Sequence, residues 1–193
     1  MNKPAFIVEG HLEQDFVQAI CQGAPVRRIG CNGSDVSMEV LAKFVSTQAR
    51  ILQRKFNPIV VVFDREGRRE SCEELENALR IELKKMDVTA TVVIGIPDRD
   101  IETWILADIE MLSKTIGAEE LKNTGPFEGN KCKHKLKSMV MGKCFYSETN
   151  QGVEWLKKAR PHCLKQNSNS FSRFYEELKG LRCWWLEREV ELL

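Results

Sequence analysis

Within the first 113 residues, short apolar runs alternate with amphipathic stretches, and this pattern leaves few folds open. The clearest run, "PIVVVF" (Pro58–Phe63), is apolar at every position, as expected of a strand covered on both faces. "AFIVEG", "VRRIGC" and "TATVVIGI" are the other strand candidates. Each is followed by helical spacing. Leu12, Phe16, Val17 and Ile20 share one helix face. In the next helix, Val36, Val40, Phe44 and Ile51 form a stripe that Leu41, Val45 and Leu52 widen, with Ser34 or Asp35 as its cap. Leu75, Ala78, Leu79 and Leu83 make the third apolar set, and "DIETWILADIEML" reads as a fourth helix. Strand then helix, repeated through residue 113, predicts an α/β fold: a central, mostly parallel sheet flanked by helices. In such sheets, ligands gather at the carboxyl ends of the strands.

From residue 114 the pattern changes. "GPFEGNKCKHKLKSMVMGKCF" is basic and glycine-bearing, and reads as a basic loop. "QNSNSFSRFYEELKG" holds a polar cap, Asn167–Ser170, then a helix with Phe171, Phe174 and Leu178 inward. Residues 1–113 are expected to form the α/β core, and 114–193 a basic loop with a mostly helical extension packed on it. Trp184 and Trp185 read as core anchors or as a partner-binding patch, with packing favoured.

Charge excludes some partners. Among 193 residues, 29 Lys and Arg stand against 28 Asp and Glu, a net charge of +1. No global field draws the chain to nucleic acid or membrane, so any polyanion must meet a local patch. No apolar run reaches the roughly 20 residues of a membrane span. Residues 1–9 are too short and too soon acidic for a signal peptide. Seven cysteines without a C-x-x-C pair read as reduced thiols of a cytoplasmic protein.

The strand ends carry the chemistry. Glu9, Asp64 with Glu66, and Asp98 with Glu102 come directly after three of the apolar runs, and Glu13 lies in the first turn of the first helix. Asp98 and Glu102 are four apart, so a helix beginning there puts them on one face. Helix dipoles alone would account for Glu13, Asp98 and Asp100. Three acidic clusters on one rim ask for more. Gathered carboxylates repel unless a cation joins them, and hard divalent ions such as magnesium take oxygen ligands of this kind. Lys131, Lys133, Lys135 and Lys137 are the candidate phosphate contacts, although a solvated basic loop would look the same. Arg65, Arg68 and Arg69 can grip phosphates or pair with Glu66 and Glu70. Cys132, His134, Cys144, His162 and Cys163 match no usual zinc spacing.

"FIVEGHLEQDF", "VVVFDREG" and "IPDRDIETWILAD" resemble, in order and spacing, the blocks of the TOPRIM fold. That metal-binding domain is shared by topoisomerases, primases and overcoming-lysogenization-defect (OLD) family nucleases. The third block, with "YSETNQG" and "QNSNSFSRF", is similar to a small stand-alone family catalogued as domain of unknown function 4276, associated with phage-defence gene clusters. The resemblance implies a TOPRIM-like sheet and Mg2+ or Mn2+ as cofactor. It implies Glu9 as metal ligand or general base, and Asp64 as the first metal-binding aspartate. Glu66 stands where the family has a second aspartate; Glu13 and Glu102 complete the site. The expected activity is cleavage of DNA or RNA phosphodiesters, with Glu9, Asp64, Glu66 and Glu102 catalytic, in anti-phage defence. One lysine would stabilise developing charge. The resemblance also implies an ATPase partner of the ABC/OLD type; the chain has no Walker A motif, so ATP hydrolysis would have to come from that partner. Glu66 in place of aspartate supports a second reading: a catalytically inert module that binds such a partner or senses nucleic acid. A third makes Asp64 the nucleophile of phosphotransfer.

Overall fold

Valine and isoleucine occupy all of one strand and half or more of two others, where a stiff side chain packs well on a pleated surface. The four strands are β1 (Ala5–Val8), β2 (Val26–Arg28), β3 (Ile59–Val62) and β4 (Val92–Gly95). They pair in parallel, in the order β2-β1-β3-β4. The computed structural model describes residues 3–118, 121 and 126–181. β1 and β3 are central and buried at every position, whereas the edge strand β2 keeps Arg27 and Arg28 in solvent.

The helices are α1 (His11–Ile20), α2 (Met38–Leu52), α3 (Cys72–Lys85), α4 (Glu102–Leu106), α5 (Ile109–Thr115), α6 (Cys132–Val140), α7 (Val153–Lys158), α8 (Pro161–Asn167) and α9 (Asn169–Leu178). A π-helical turn, Glu148–Gly152, leads into α7. The chain steps from β1 outward to β2, then returns past β1 to β3 and on to β4. Right-handed crossovers therefore place α1 on one face and α2 with α3 on the other. The core divides that way. Phe6, Val8, Val60, Val62 and Val93 face α1 and the later helices; Ala5, Ile7, Ile59, Val61 and Ile94 face α2 and α3.

Several local expectations shift. The buried face of α2 is Leu41, Ala42, Val45, Ser46, Ala49 and Leu52. Val40, Phe44 and Ile51, expected in the core, are 39, 47 and 61% exposed. Both stripes are apolar, but the one with small residues lets the helix approach the sheet. Its cap is Ser37, whose hydroxyl accepts from the Val40 amide, not Ser34 or Asp35. α3 starts in a capping box of Ser71 and Glu74. Residues 100–112 form two helices, not one. The break falls at Asp108, which accepts from the Met111 amide and so starts α5.

The later helices share the α1 face. Trp104 lies between Phe171 and Phe174, edge-on to the first at 5.2 Å and stacked on the second at 5.5 Å. Its indole donates to Ser170 Oγ at 3.1 Å. α9 lies on β4 because Gly95 has no side chain; a Cβ there would meet the Phe174 ring at 2.9 Å. The basic segment expected as a loop is largely helical, as α6. Cys31, Cys72, Cys132 and Cys144 carry free thiols. Cys21 is disulfide-bonded, which corrects the expectation of seven reduced thiols. No helix among the described residues is long and apolar enough to cross a membrane. Trp184 and Trp185 lie outside the described residues.

Candidate active site at the strand ends

β1 feeds β2 on one side and has β3 on the other, so the chain's direction across the sheet reverses between β1 and β3. Connections diverge there and leave a crevice at the carboxyl ends. Glu9 comes immediately after β1, and Asp64 after β3 and Phe63. The two are tied: Glu9 Oε2 accepts from the Asp64 amide at 3.1 Å. Asn32 Nδ2 donates to the same Glu9 oxygen and, at 3.0 Å, to the Asp64 carbonyl. Arg68 in turn donates to Asn32 Oδ1 at 2.6 Å.

The crevice is a cleft of about 660 Å³. Glu9, Glu13, Asp64, Glu66 and Glu102 all line it, as does Asp100. Glu13, in the first turn of α1, accepts from the Gly10 amide at 3.0 Å. A Cβ at Gly10 would lie 2.9 Å from that carboxylate, so this close approach suits glycine. Glu102 opens α4 and accepts from the Tyr146 hydroxyl at 2.8 Å. The Tyr146 ring stacks on Trp155. One oxygen of Asp64 and one of Asp100 are buried with no hydrogen-bond partner.

Burial and mutual repulsion hold Glu9, Glu13, Asp64, Asp100 and Glu102 toward their neutral forms. Burial pushes Asp64 well up, and the charges of Glu13, Glu9, Glu102 and Asp100 add to it. Glu13 is raised to about 7 by burial and by Glu9. Asp100 is raised to about 7 by burial and by Glu102, although it accepts from the Lys133 amide. Glu9 is raised by burial against the lowering pull of its two donors. Glu102 is raised by burial against the Tyr146 hydrogen bond.

Asp98 does not join the set. α4 begins only at Glu102, so the four-residue spacing never falls within one helix. Asp98 pairs instead with Arg65. Asp100 takes the place expected for it. The turns that decide this contain two left-handed residues, Glu66 at φ 58° and Arg99 at φ 80°. They clasp each other: the Glu66 amide donates to the Arg99 carbonyl at 2.9 Å, and the Arg99 guanidinium to the Glu66 carbonyl at 3.0 Å. Of the lysines, Lys131 and Lys133 line the cleft, and Lys133 bridges to Glu148 at 2.6 Å. Lys135 sits over the Phe127 ring, 4.6 Å from its centroid, and Lys137 is exposed; neither lines the cleft, because they point elsewhere around α6. Arg65 and Arg68 serve the acidic rim from behind, through Asp98 and Asn32, and do not pair with Glu66 or Glu70 carboxylates.

Asn32, Tyr146 and Glu148 escaped sequence reasoning. They come from segments whose own periodicity carries no sign of the sheet they reach. Among the described residues, no three His, Cys, Asp or Glu groups converge in an arrangement ready for a metal ion. His11 and His134 also line the cleft, but its carboxylates offer oxygen donors, and the unpartnered Asp64 and Asp100 oxygens fit a hard divalent ion better than solvent-paired acids would.

No curated protein and no solved structure matches the chain significantly. A family profile does match, over residues 8–179, a span that holds every cleft residue named above. The chain belongs to the family described as domain of unknown function (DUF4276).

Proposed function

We propose that the protein is a magnesium- or manganese-dependent nuclease of TOPRIM type, cleaving DNA or RNA phosphodiesters as the effector of an anti-phage defence system. One observation carries the reading: a half-buried Asp64 whose carboxyl has one buried, unpartnered oxygen, among Glu9, Glu13, Glu66, Asp100 and Glu102 at the topological switch point. Unpaired buried acids are costly, and a bound cation removes that cost. Glu9, Asp64 and Glu66 would hold the ion, with Glu13 and Glu102 beside them. Such an ion polarises a phosphoryl oxygen and lowers the pKa of a water. The chain's own residues do the rest. Asn32 and the Asp64 amide fix Glu9, and Tyr146 fixes Glu102. Lys131 and Lys133 stand where a phosphate would enter. Membership of the OLD-like nucleases and an ATPase partner of that type belong to the same proposal, resting on the TOPRIM-like blocks. So does action in the cytoplasm.

A second reading has its own support. No three ligands converge among the described residues, and Glu66 stands in for aspartate at a left-handed position. A catalytically inert module that binds an ATPase or senses nucleic acid fits those facts. Purified protein incubated with plasmid, single-stranded DNA and tRNA, in manganese, magnesium or EDTA, decides between the two. Cleavage is expected with metal only, and is expected to vanish in Glu9→Gln. Absence of cleavage with either metal would leave the inert module as the better account.

A further inference from the structure

Between α6 and the π-helical turn the chain runs through Met141, Gly142, Lys143, Cys144 and Phe145 to Tyr146. Met141 is 79% exposed and Phe145 83%, the two most exposed of the large apolar side chains among the described residues. Their neighbours are fixed. Val140 and Tyr146 are buried, and Cys144 packs against the core. The amides of Lys143 and Cys144 both donate to the Val140 carbonyl, at 3.0 and 3.1 Å. Beyond the loop, the Ser147 amide donates to Gln151 at 3.0 Å. Lys143 and Phe145 therefore face solvent together while Cys144 and Tyr146 face inward. Phe145 is held out by anchored backbone on both sides, next to the tyrosine whose hydroxyl touches Glu102.

The segment that precedes it carries charge of one sign, and the nearest acid after it, Glu148, is paired with Lys133. From Lys131 to Phe145 there are five lysines and no Asp or Glu. Lys133 answers to Glu148 and Lys135 to the Phe127 ring, which leaves Lys131, at the cleft, and Lys137 and Lys143 exposed. An exposed ring with an exposed lysine two residues before it matches two parts of a nucleotide: a base face and a phosphate. Aromatic stacking needs a free base face, which a duplex hides in its own stack and an unpaired strand offers.

We propose that Phe145, with Lys143 and the exposed lysines of the α6 segment, is a base-stacking platform that takes an unpaired nucleic-acid strand toward the acidic cleft. This deepens the nuclease reading by naming its substrate as single-stranded, and rests on that reading only for the cleavage step, not for binding. Fluorescence anisotropy tests it with the full chain in EDTA, so that nothing is cut. The probes are a labelled oligo-dT, an oligo-rU and a DNA duplex of equal length. Wild type is expected to bind one or both single strands more tightly than the duplex, the two oligomers separating DNA from RNA. Phe145→Ala should weaken single-strand binding roughly tenfold, the weight of one stacked base, and leave the melting temperature unchanged. Phe145→Trp should retain affinity, and Phe145→Leu should behave as alanine does.

Unchanged affinity in Phe145→Ala overturns the proposal, as does full affinity in Phe145→Leu, which would mark a merely apolar contact. No single-strand binding by wild type, or duplex preferred, also overturns it. The nuclease reading fails separately. Phe145-dependent binding without metal-dependent cleavage of the same oligomers sustains the platform and removes the nuclease. Cleavage that ignores Phe145 does the reverse.

Discussion

Asp108 and Asp64 both hold carboxylate oxygens away from solvent, and they have opposite electrostatics. Asp108 is 2% exposed at the break between α4 and α5. Burial pushes its carboxyl up, but Arg160 brings it below the ordinary range, with its amide at 2.9 Å and its guanidinium at 2.6 and 2.9 Å; the Met111 amide helps. Both of its oxygens are used. Asp64 has an unpartnered oxygen and is pushed up by burial and by Glu13, Glu9, Glu102 and Asp100. Burial is thus no guide to role. What separates a structural acid from a candidate ligand is whether the protein supplies the compensating donors.

The largest effect should come from breaking the compensated site. Asp108→Ala leaves a partly buried Arg160 with only the exposed Glu110 for a partner and α5 without its cap. Thermal or urea unfolding should show a loss of about 3 kcal/mol, the lower end for a severed buried pair, since Arg160 is partly exposed. A loss near zero would show that Asp108 is solvated in solution.

Asp64→Asn should do the opposite. Without metal it removes a repelled charge, so the variant should melt at or above the wild-type temperature. With millimolar magnesium or manganese, wild type should rise with concentration by mass action, and the variant should respond little. A wild type that shows no metal-dependent shift would end the cation reading of the cleft.

The raised acids also set a pH dependence. Glu13 and Asp100 lie near 7 in the folded chain, against 4.5 and 3.8 when free. Between those limits the folded state binds more protons than the unfolded state. Their contribution to stability is full below about 4 and is lost as pH rises through 7. In EDTA, stability should therefore fall from pH 5 to pH 8, and Asp64→Asn should flatten that slope. Asp108 works in the other direction. Its contribution is present above the ordinary aspartate value and is lost on acidification below it.

The smallest effect belongs to Glu110, which also pairs with Arg160 but from an exposed position. Glu110→Gln should change the melting temperature no more than an ordinary surface substitution does, because solvent and salt screen exposed pairs. A drop comparable to that of Asp108→Ala would mean that the two carboxylates act as one site.

Much of the sheet could be read in advance because a strand covered on both faces leaves a continuous apolar run, as Ile59–Phe63 does. Glu9 and Asp64 were legible for the same reason: a carboxylate ending such a run lies on the rim. Asp98 and Asp100 were not separable. Which of them enters the cleft depends on the left-handed turn at Arg99 and on Arg65, 33 residues away from Asp98. The face of α2 was misread by one position because Ala42, Ser46 and Ala49 leave a weaker pattern than Val40, Phe44 and Ile51. Close approach to a sheet rewards small side chains, and a hydrophobicity count rewards large ones.

Gly95 bears on how the molecule is made. The strand that contains it is synthesised well before the phenylalanine that fills the space above it. As the chain leaves the ribosome, at roughly 5–20 residues per second, β4 must wait through nearly eighty further residues with that face uncovered. Trp104 waits with it, since Phe171 and Phe174 are its ring partners. The half-built protein thus presents a bare strip on its last strand for several seconds. During that interval a chaperone, or the same strip on a neighbouring nascent chain, competes with a helix not yet made.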